Sequence, residues 1–127
     1  MPLVSLNIAK GESPEFLSKV MDVTMNSVQQ ALQLPDDDRN IRVMEYEPYL
    51  FTMKKPYRLI IEISMFAGRT VVAKKLLYQL IVTNLSESLG IAKNEIFILI
   101  NEQPKENWGV RGGIPANEIE LGFKVDI

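Results

Sequence analysis

The sequence predicts an α+β two-layer sandwich: a tandem β-α-β repeat forming a four-stranded mixed sheet with two helices on one face. Three observations carry this prediction. Sliding the chain on itself by 57 residues places Gly11 on Gly68, Ser13 on Thr70, Ile41 on Ile98, Val43 on Ile100 and Glu45 on Glu102. The same shift sets Val4, Leu6 and Ile8 on Ile61, Ile63 and Met65, with Ser5 and Asn7 on Glu62 and Ser64. One apolar and one mixed face at period two is the pattern of a half-buried strand. Apolar residues at helical spacing then fill the stretch between the two strands of each unit. At 127 residues the chain fits one domain, 1–127, with repeat units at 2–47 and 58–104 and a C-terminal loop or short strand over 105–127.

In the first unit a strand over the opening residues ends at the turn Lys10-Gly11-Glu12. Ser13 is the expected N-cap and Pro14 the first helical residue, where a missing N–H costs nothing. Leu17, Met21, Val28 and Leu32, flanked by Phe16 and Val20, carry the helix to about Gln33. Leu34-Pro35 stops it, and Asp36-Asp37-Asp38 leads into a strand near 40–47. In the second unit Ala67-Gly68-Arg69 is the turn and Thr70 the cap. Ala73, Leu76, Leu77, Leu80, Ile81, Leu85 and Leu89 form the stripe, Gly90 ends the helix, and a strand follows over 96–102. Lys74 and Lys75 lie early in this helix, where the helix dipole mildly disfavours cations. The segment 48–56 connects the units. Residues 104–115 read as a loop around Trp108-Gly109-Val110-Arg111-Gly112-Gly113, and Glu118–Ile127 alternates weakly, as a short strand would.

Parallel strands joined through a helix require right-handed crossovers. With both helices on one face, the other face carries Leu3, Ile60 and Phe66 among Ser5, Asn7 and Glu62. A bare face of that kind calls for cover by another subunit, so a homo-oligomer is expected.

Composition excludes more than it reveals. Apolar residues make up 46% and charged residues 24%, the balance of an ordinary globular chain. A net charge of −2 offers no electrostatic basis for binding nucleic acid or an anionic membrane. The longest uncharged run, Val23 to Pro35, is too short and too polar to span a bilayer, and the N-terminus lacks the pattern of a secretory signal. A cytoplasmic protein without membrane partners is the expectation. The absence of cysteine removes disulfides and thiolate chemistry, and the absence of histidine removes the serine triad and histidine-rich metal sites. No metal or cofactor site is called for. An acid or base must come from a carboxylate, a lysine, a tyrosine or the chain terminus.

That restriction draws attention to Pro2 at the head of the first strand. If Met1 is removed, Pro2 becomes an N-terminal secondary amine. An ordinary α-amine titrates at about 7.7–8.0, and burial or a nearby cation pulls it towards neutrality. Such a base suits proton abstraction next to a carbonyl. If Met1 is retained, the nitrogen of Pro2 is an amide without basicity.

The initial Met-Pro, the doubled β-α-β unit, Leu34-Pro35-Asp36-Asp37-Asp38-Arg39, Ala67-Gly68-Arg69-Thr70 and Glu106-Asn107-Trp108 together resemble the tautomerase superfamily. The resemblance is to its fused members, the malonate semialdehyde decarboxylase-like group, and runs from Pro2 to about Gly113. It implies a 4-oxalocrotonate tautomerase-like fold (also that of the MIF-like members), a homotrimer, and an amino-terminal proline acting as general base or acid. It also implies an arginine that binds a small-molecule carboxylate substrate. By position, the proline falls on Pro2, that arginine on Arg69, the aspartate of the decarboxylase group on Asp38, and the late aromatic on Trp108. The chain departs from the family pattern at three places. Glu12 stands where smaller members have arginine, and Ala67 where the decarboxylase has its second arginine. Leu59 holds the place of Pro2 in the second unit, so each chain has one base at most.

The resulting expectation is a cofactor-free isomerase interconverting keto and enol forms of a small 2-keto acid such as an arylpyruvate. Pro2 is the acid/base, Arg69 the anchor that grips the carboxylate, and Trp108 and Arg111 further substrate-binding candidates. The alternatives are a decarboxylase or hydratase on a short 3-oxo or unsaturated acid, in which Asp38 activates water, and a trimeric homologue without activity. Each residue has a plainer reading. Arg69 would answer Glu62 or a neighbouring chain, and an aspartate of the run would cap or pair with Arg39. Trp108 would pack against a neighbouring subunit, and Arg111 would be a loop arginine.

Overall fold

The computed structural model describes residues 1–127 throughout. Strand β1 (Leu3–Ala9) leads into helix α1 (Pro14–Leu32) and strand β2 (Ile41–Tyr46). Strand β3 (Leu59–Phe66), helix α2 (Val71–Leu89) and strand β4 (Ile96–Gln103) repeat that order. The helix ends lie where local chemistry puts them. Ser13 Oγ accepts from the Phe16 amide and Thr70 Oγ1 from the Ala73 amide, each satisfying an N–H that the helix leaves open. Both helices end on a residue in the left-handed region, Gln33 and Gly90, which turns the chain out of the helix. The repeat holds at both ends of both helices and again at two short 3-10 turns, Pro48–Leu50 and Lys105–Asn107.

The sheet has the order β2-β1-β3-β4. β1 pairs parallel with β2 and β3 with β4, while the central pair β1 and β3 is antiparallel. The two units are therefore related by a pseudo-two-fold axis through the middle of the sheet. This has a direct consequence for function: the start of β1, where Pro2 sits, lies beside the end of β3, which leads to Arg69. Val4, Leu6 and Ile8 of β1 and Leu59, Ile61, Ile63 and Met65 of β3 face the helices. There they meet Val20, Val28 and Leu32 of α1 and Leu77, Ile81 and Leu85 of α2, all nearly inaccessible to solvent. No helix is long and apolar enough to cross a membrane.

The opposite face is open but less bare than expected. Leu3, Met44, Phe97 and Leu99 are exposed on it. Ser5 and Asn7 are buried, with Asn7 donating to the Ile60 carbonyl and accepting from the Tyr46 hydroxyl. Phe66, expected to lie bare, is fully buried. Ala116 and Val125 cover it, with Trp108 and Phe123 packed alongside.

That cover comes from the C-terminal segment, and it corrects the expectation of a strand over Glu118–Ile127. The two short strands after β4 are β5 (Gly109–Val110) and β6 (Ile114–Pro115), a small antiparallel hairpin; residues 119–127 form none. The alternation of Ile119, Leu121, Phe123 and Val125 buries side chains against the end of the sheet instead of pairing backbone with an edge. The backbone groups of this segment bond to loops. The Ile127 carbonyl accepts from both the amide and the hydroxyl of Thr70, and the Glu120 carbonyl accepts from Arg111. Lys74 in the first turn of α2 also finds its reason, an ion pair with Glu102 on β4.

Candidate active site

Burial positions the site before any catalytic side chain is considered. Pro2 is buried at the head of β1, so the residue before it is held where the chain emerges from the sheet. The Met1 amino group donates to Asp38 Oδ2 at 2.7 Å, in an ion pair whose carboxylate side chain is only 12% exposed. The second oxygen of Asp38 accepts from the Asn40 side-chain amide at 2.9 Å, which fixes the carboxylate plane. Gln29, near the end of α1, donates to the carbonyls of Pro35, Asp36 and Asp38 and so braces the loop that carries it. Of the three aspartates, Asp38 alone engages the chain terminus. Arg39 does not pair with the aspartate run; it reaches back to Asp22, Asn26 and Gln29 on α1.

The amine feels opposing influences. Partial burial pushes its pKa below the usual 8.0 and the positive charge of Arg69 pushes it the same way, while the hydrogen bond and charge of Asp38 push it up. Burial is the largest of these, and the net direction is down.

Arg69 lies one residue before the cap of α2 and is 5% exposed. Its Nη1 makes a long 3.4 Å contact with the Phe66 carbonyl, and Nε and Nη2 have no hydrogen-bond partner. The guanidinium carbon stands 5.9 Å from the centre of the Phe123 ring, an attractive cation–π distance. It forms no ion pair with Glu62 or any other carboxylate. Burial lowers its pKa, partly offset by the charges of Glu102 and Asp38. A buried cation with two unpaired nitrogens is costly, and a carboxylate is the ligand that would relieve it.

A cavity of about 370 Å³ opens beside Met1 and Asp38. Asp37, Asp38, Asn40 and Arg111 give it polar walls, and Met1, Ile119, Leu121 and Phe123 with Pro35 supply the apolar side. The structure thus brings together the chain terminus, Asp38 and Arg111. Arg69 is not on the cavity wall; its guanidinium packs against the ring of Phe123, which is. Trp108 is also off the wall. It stacks edge-on against Phe66 of its own chain at 4.9 Å between ring centres, and its Nε1 donates to the Gln103 carbonyl at 3.4 Å. The wall residues that sequence reasoning missed are Asn40 and the apolar side of the tail. The tail signalled itself only as an alternating apolar segment, which reads equally well as a strand, and Asn40 carried no signal.

A family model described as "Tautomerase enzyme" matches residues 38–111, more than half of the chain. The chain belongs to the tautomerase family. Among individual relatives of this tautomerase-family chain, the probable tautomerase YusQ of Bacillus subtilis (strain 168) is 28% identical over 121 residues, which are 89% of this chain and 95% of that one. A fused 4-OT solved as a symmetric trimer superposes with a TM-score of 0.81 at 22% identity, over 91% of this chain and 96% of that one. Malonate semialdehyde decarboxylase superposes with a TM-score of 0.78 at 16% identity, over 85% and 89%. At those identities the two structures establish the shared fold.

Proposed function

We propose that this member of the tautomerase family is a cofactor-independent isomerase that interconverts the keto and enol forms of a small 2-keto acid such as an arylpyruvate. Removal of Met1 makes Pro2 the amino terminus and its secondary amine the general base. The neutral amine takes a proton from the carbon next to the carbonyl. The electron pair of that C–H bond becomes the enol double bond, and the carbonyl oxygen takes up the negative charge. The protonated amine then returns a proton to that oxygen, so the net change is one proton moved from carbon to oxygen. Asp38, which pairs with the terminal amine one residue earlier when Met1 is present, is the carboxylate placed to stabilise the ammonium form between the two transfers. Arg69, with backbone N–H groups at the start of α2 beside it, holds the carboxylate, and Arg111 lines the chamber for the rest of the substrate.

The observation that carries this reading is the placement of the chain terminus: Pro2 is buried at the head of β1, and the Met1 directly before it lines the cavity with its amine 2.7 Å from Asp38, so removal of Met1 leaves the Pro2 nitrogen as the terminus at that end of the cavity. Ultraviolet measurement of phenylpyruvate ketonisation by wild type, Pro2→Ala and Arg69→Ala tests it. Loss of rate in the first variant and a raised KM in the second are expected; full activity in Pro2→Ala would count against the amine as base.

Asp38 favours a second reading. A fixed carboxylate beside the amine also suits activation of water, as a hydratase or decarboxylase acting on a short 3-oxo or unsaturated acid requires. Release of CO₂ from malonate semialdehyde, lost in Asp38→Asn, would promote it. We further propose a homotrimer in which neighbouring copies cover Leu3, Met44, Phe97 and Leu99, in keeping with the trimeric fused 4-OT of the same fold.

A further inference from the structure

The pseudo-two-fold axis offers an internal comparison for Arg69. The equivalent position in the first unit is Glu12, whose carboxylate meets Arg58 Nη2 at 2.8 Å and is about a third exposed. A cavity of about 330 Å³ lies over that turn, lined by Ala9, Glu12, Phe51, Tyr57 and Arg58 among others. At Arg69 the arrangement is reversed. The charge is unpaired, and the space over it is filled by residues 119–127. Val125 packs so closely on Gly68 that a Cβ there would lie 3.2 Å from its Cγ1. Phe123 stacks on Phe66 at 6.2 Å and also covers the guanidinium. Phe123 also lines the chamber that Met1 and Asp38 line, and Arg69 does not. The segment is held at its far end by two hydrogen bonds from Thr70 to the Ile127 carbonyl, with no strand ladder to fix it.

We propose that residues 119–127 are a strap closed over Arg69 and that Phe123 is its gate, the side chain that must move for a small carboxylate to pass from the chamber to the guanidinium. This rests on the carboxylate-binding role proposed for Arg69. A carboxylate brings the two unpaired nitrogens a partner that the Phe123 ring face cannot replace, so the ligand itself drives the opening. The gate sets access and affinity, and the proton transfer remains with the amine. A ligand that must select an open strap binds more weakly by the fraction of molecules that are open.

Benzoylformate, a 2-keto acid with no proton next to its carbonyl, tests this without turnover. Calorimetric titration of wild type, Phe123→Ala, and Phe123→Ala combined with Arg69→Gln should show binding at least about tenfold tighter in the first variant, the gain for an open state of a tenth or less. The double variant should lose that gain. Hydrogen exchange on the wild type gives a second readout that needs no substitution: benzoylformate should speed exchange at the Thr70 amide, which is bonded to Ile127 in the closed strap. Equal or weaker binding by Phe123→Ala, a gain that survives Arg69→Gln, or unchanged exchange at Thr70 would each overturn the gate. Should the Arg69-dependent gain appear in a protein that does not ketonise phenylpyruvate, the gate stands and the isomerase reading fails. Ketonisation without the gain has the opposite meaning.

Discussion

Replacing Gly68 with alanine should cost more than the same change at Gly11, and the difference measures how firmly the C-terminal segment is packed. The two glycines are repeat equivalents with almost the same backbone, φ +129° and +132°, a region that L-residues rarely adopt. Each substitution therefore carries a backbone strain of about 1–3 kcal/mol. Around Gly11 nothing lies within 4 Å of an added Cβ, whereas at Gly68 that atom meets Val125 Cγ1 at 3.2 Å. Val125 is 7% exposed, and losing its burial entirely would cost about 1.5–3 kcal/mol. A displacement of a few tenths of an ångström forfeits only part of that, so an excess of about 1 kcal/mol is expected at Gly68. Urea unfolding at one fixed protein concentration supplies the numbers for Gly11→Ala, Gly68→Ala, Val125→Ala and the Gly68→Ala/Val125→Ala pair. With Val125 truncated, the cost at Gly68 should fall to that at Gly11. Equal costs in the two single variants, within about 0.5 kcal/mol, would refute the packing of the strap on this turn. So would an excess that persists without the valine side chain.

Other consequences follow from the same geometry. Ser13→Ala should cost about 1 kcal/mol as a lost cap, and Thr70→Ala about 0.5–1.5 kcal/mol more, because its hydroxyl also bonds the Ile127 carbonyl at 2.7 Å; denaturant midpoints check both. Phe66→Ala should cost about 3–5 kcal/mol and shift Trp108 emission to the red, since this fully buried ring anchors both the indole and the tail. In the chain that carries Met1, the folded state holds the amine pKa below 8.0, so between that lowered value and 8.0 the unfolded chain binds more protons. Stability should therefore rise with pH across that window and level off above it, and Asp38→Asn should extend the window to lower pH. Urea midpoints measured across pH test this; stability falling with rising pH in that window would contradict it.

Most of the layers were legible because their signals are local. Ser13 with Pro14, Thr70, and the left-handed Gly90 mark helix ends through groups a few residues away, and the period-two alternation of Val4, Leu6 and Ile8 reports one buried face. The shift of 57 residues amplified those signals by presenting each twice. What was not legible depends on contacts between distant parts of the chain. The alternation of Ile119 to Val125 is the same whether the segment pairs with a strand or packs on Phe66, and only the exposed end of the sheet decides between them. The burial of Arg69 follows from that choice, as does the own-chain partner of Trp108. The engagement of Asp38 by the terminal amine spans 37 residues and rests on the parallel pairing of β1 with β2. Lys74, unfavourable by position in its helix, makes sense only once β4 brings Glu102 beside it.

The amine can be tested directly by converting one chain into the other. Protein purified with Met1 in place is assayed for phenylpyruvate ketonisation before and after treatment with a methionyl aminopeptidase, with intact mass following the conversion. The account predicts that activity grows in proportion to the chains that begin at Pro2 and exceeds that of the Met1-bearing form by about 100-fold or more, the contribution of a positioned base. Equal rates from the two forms would contradict it.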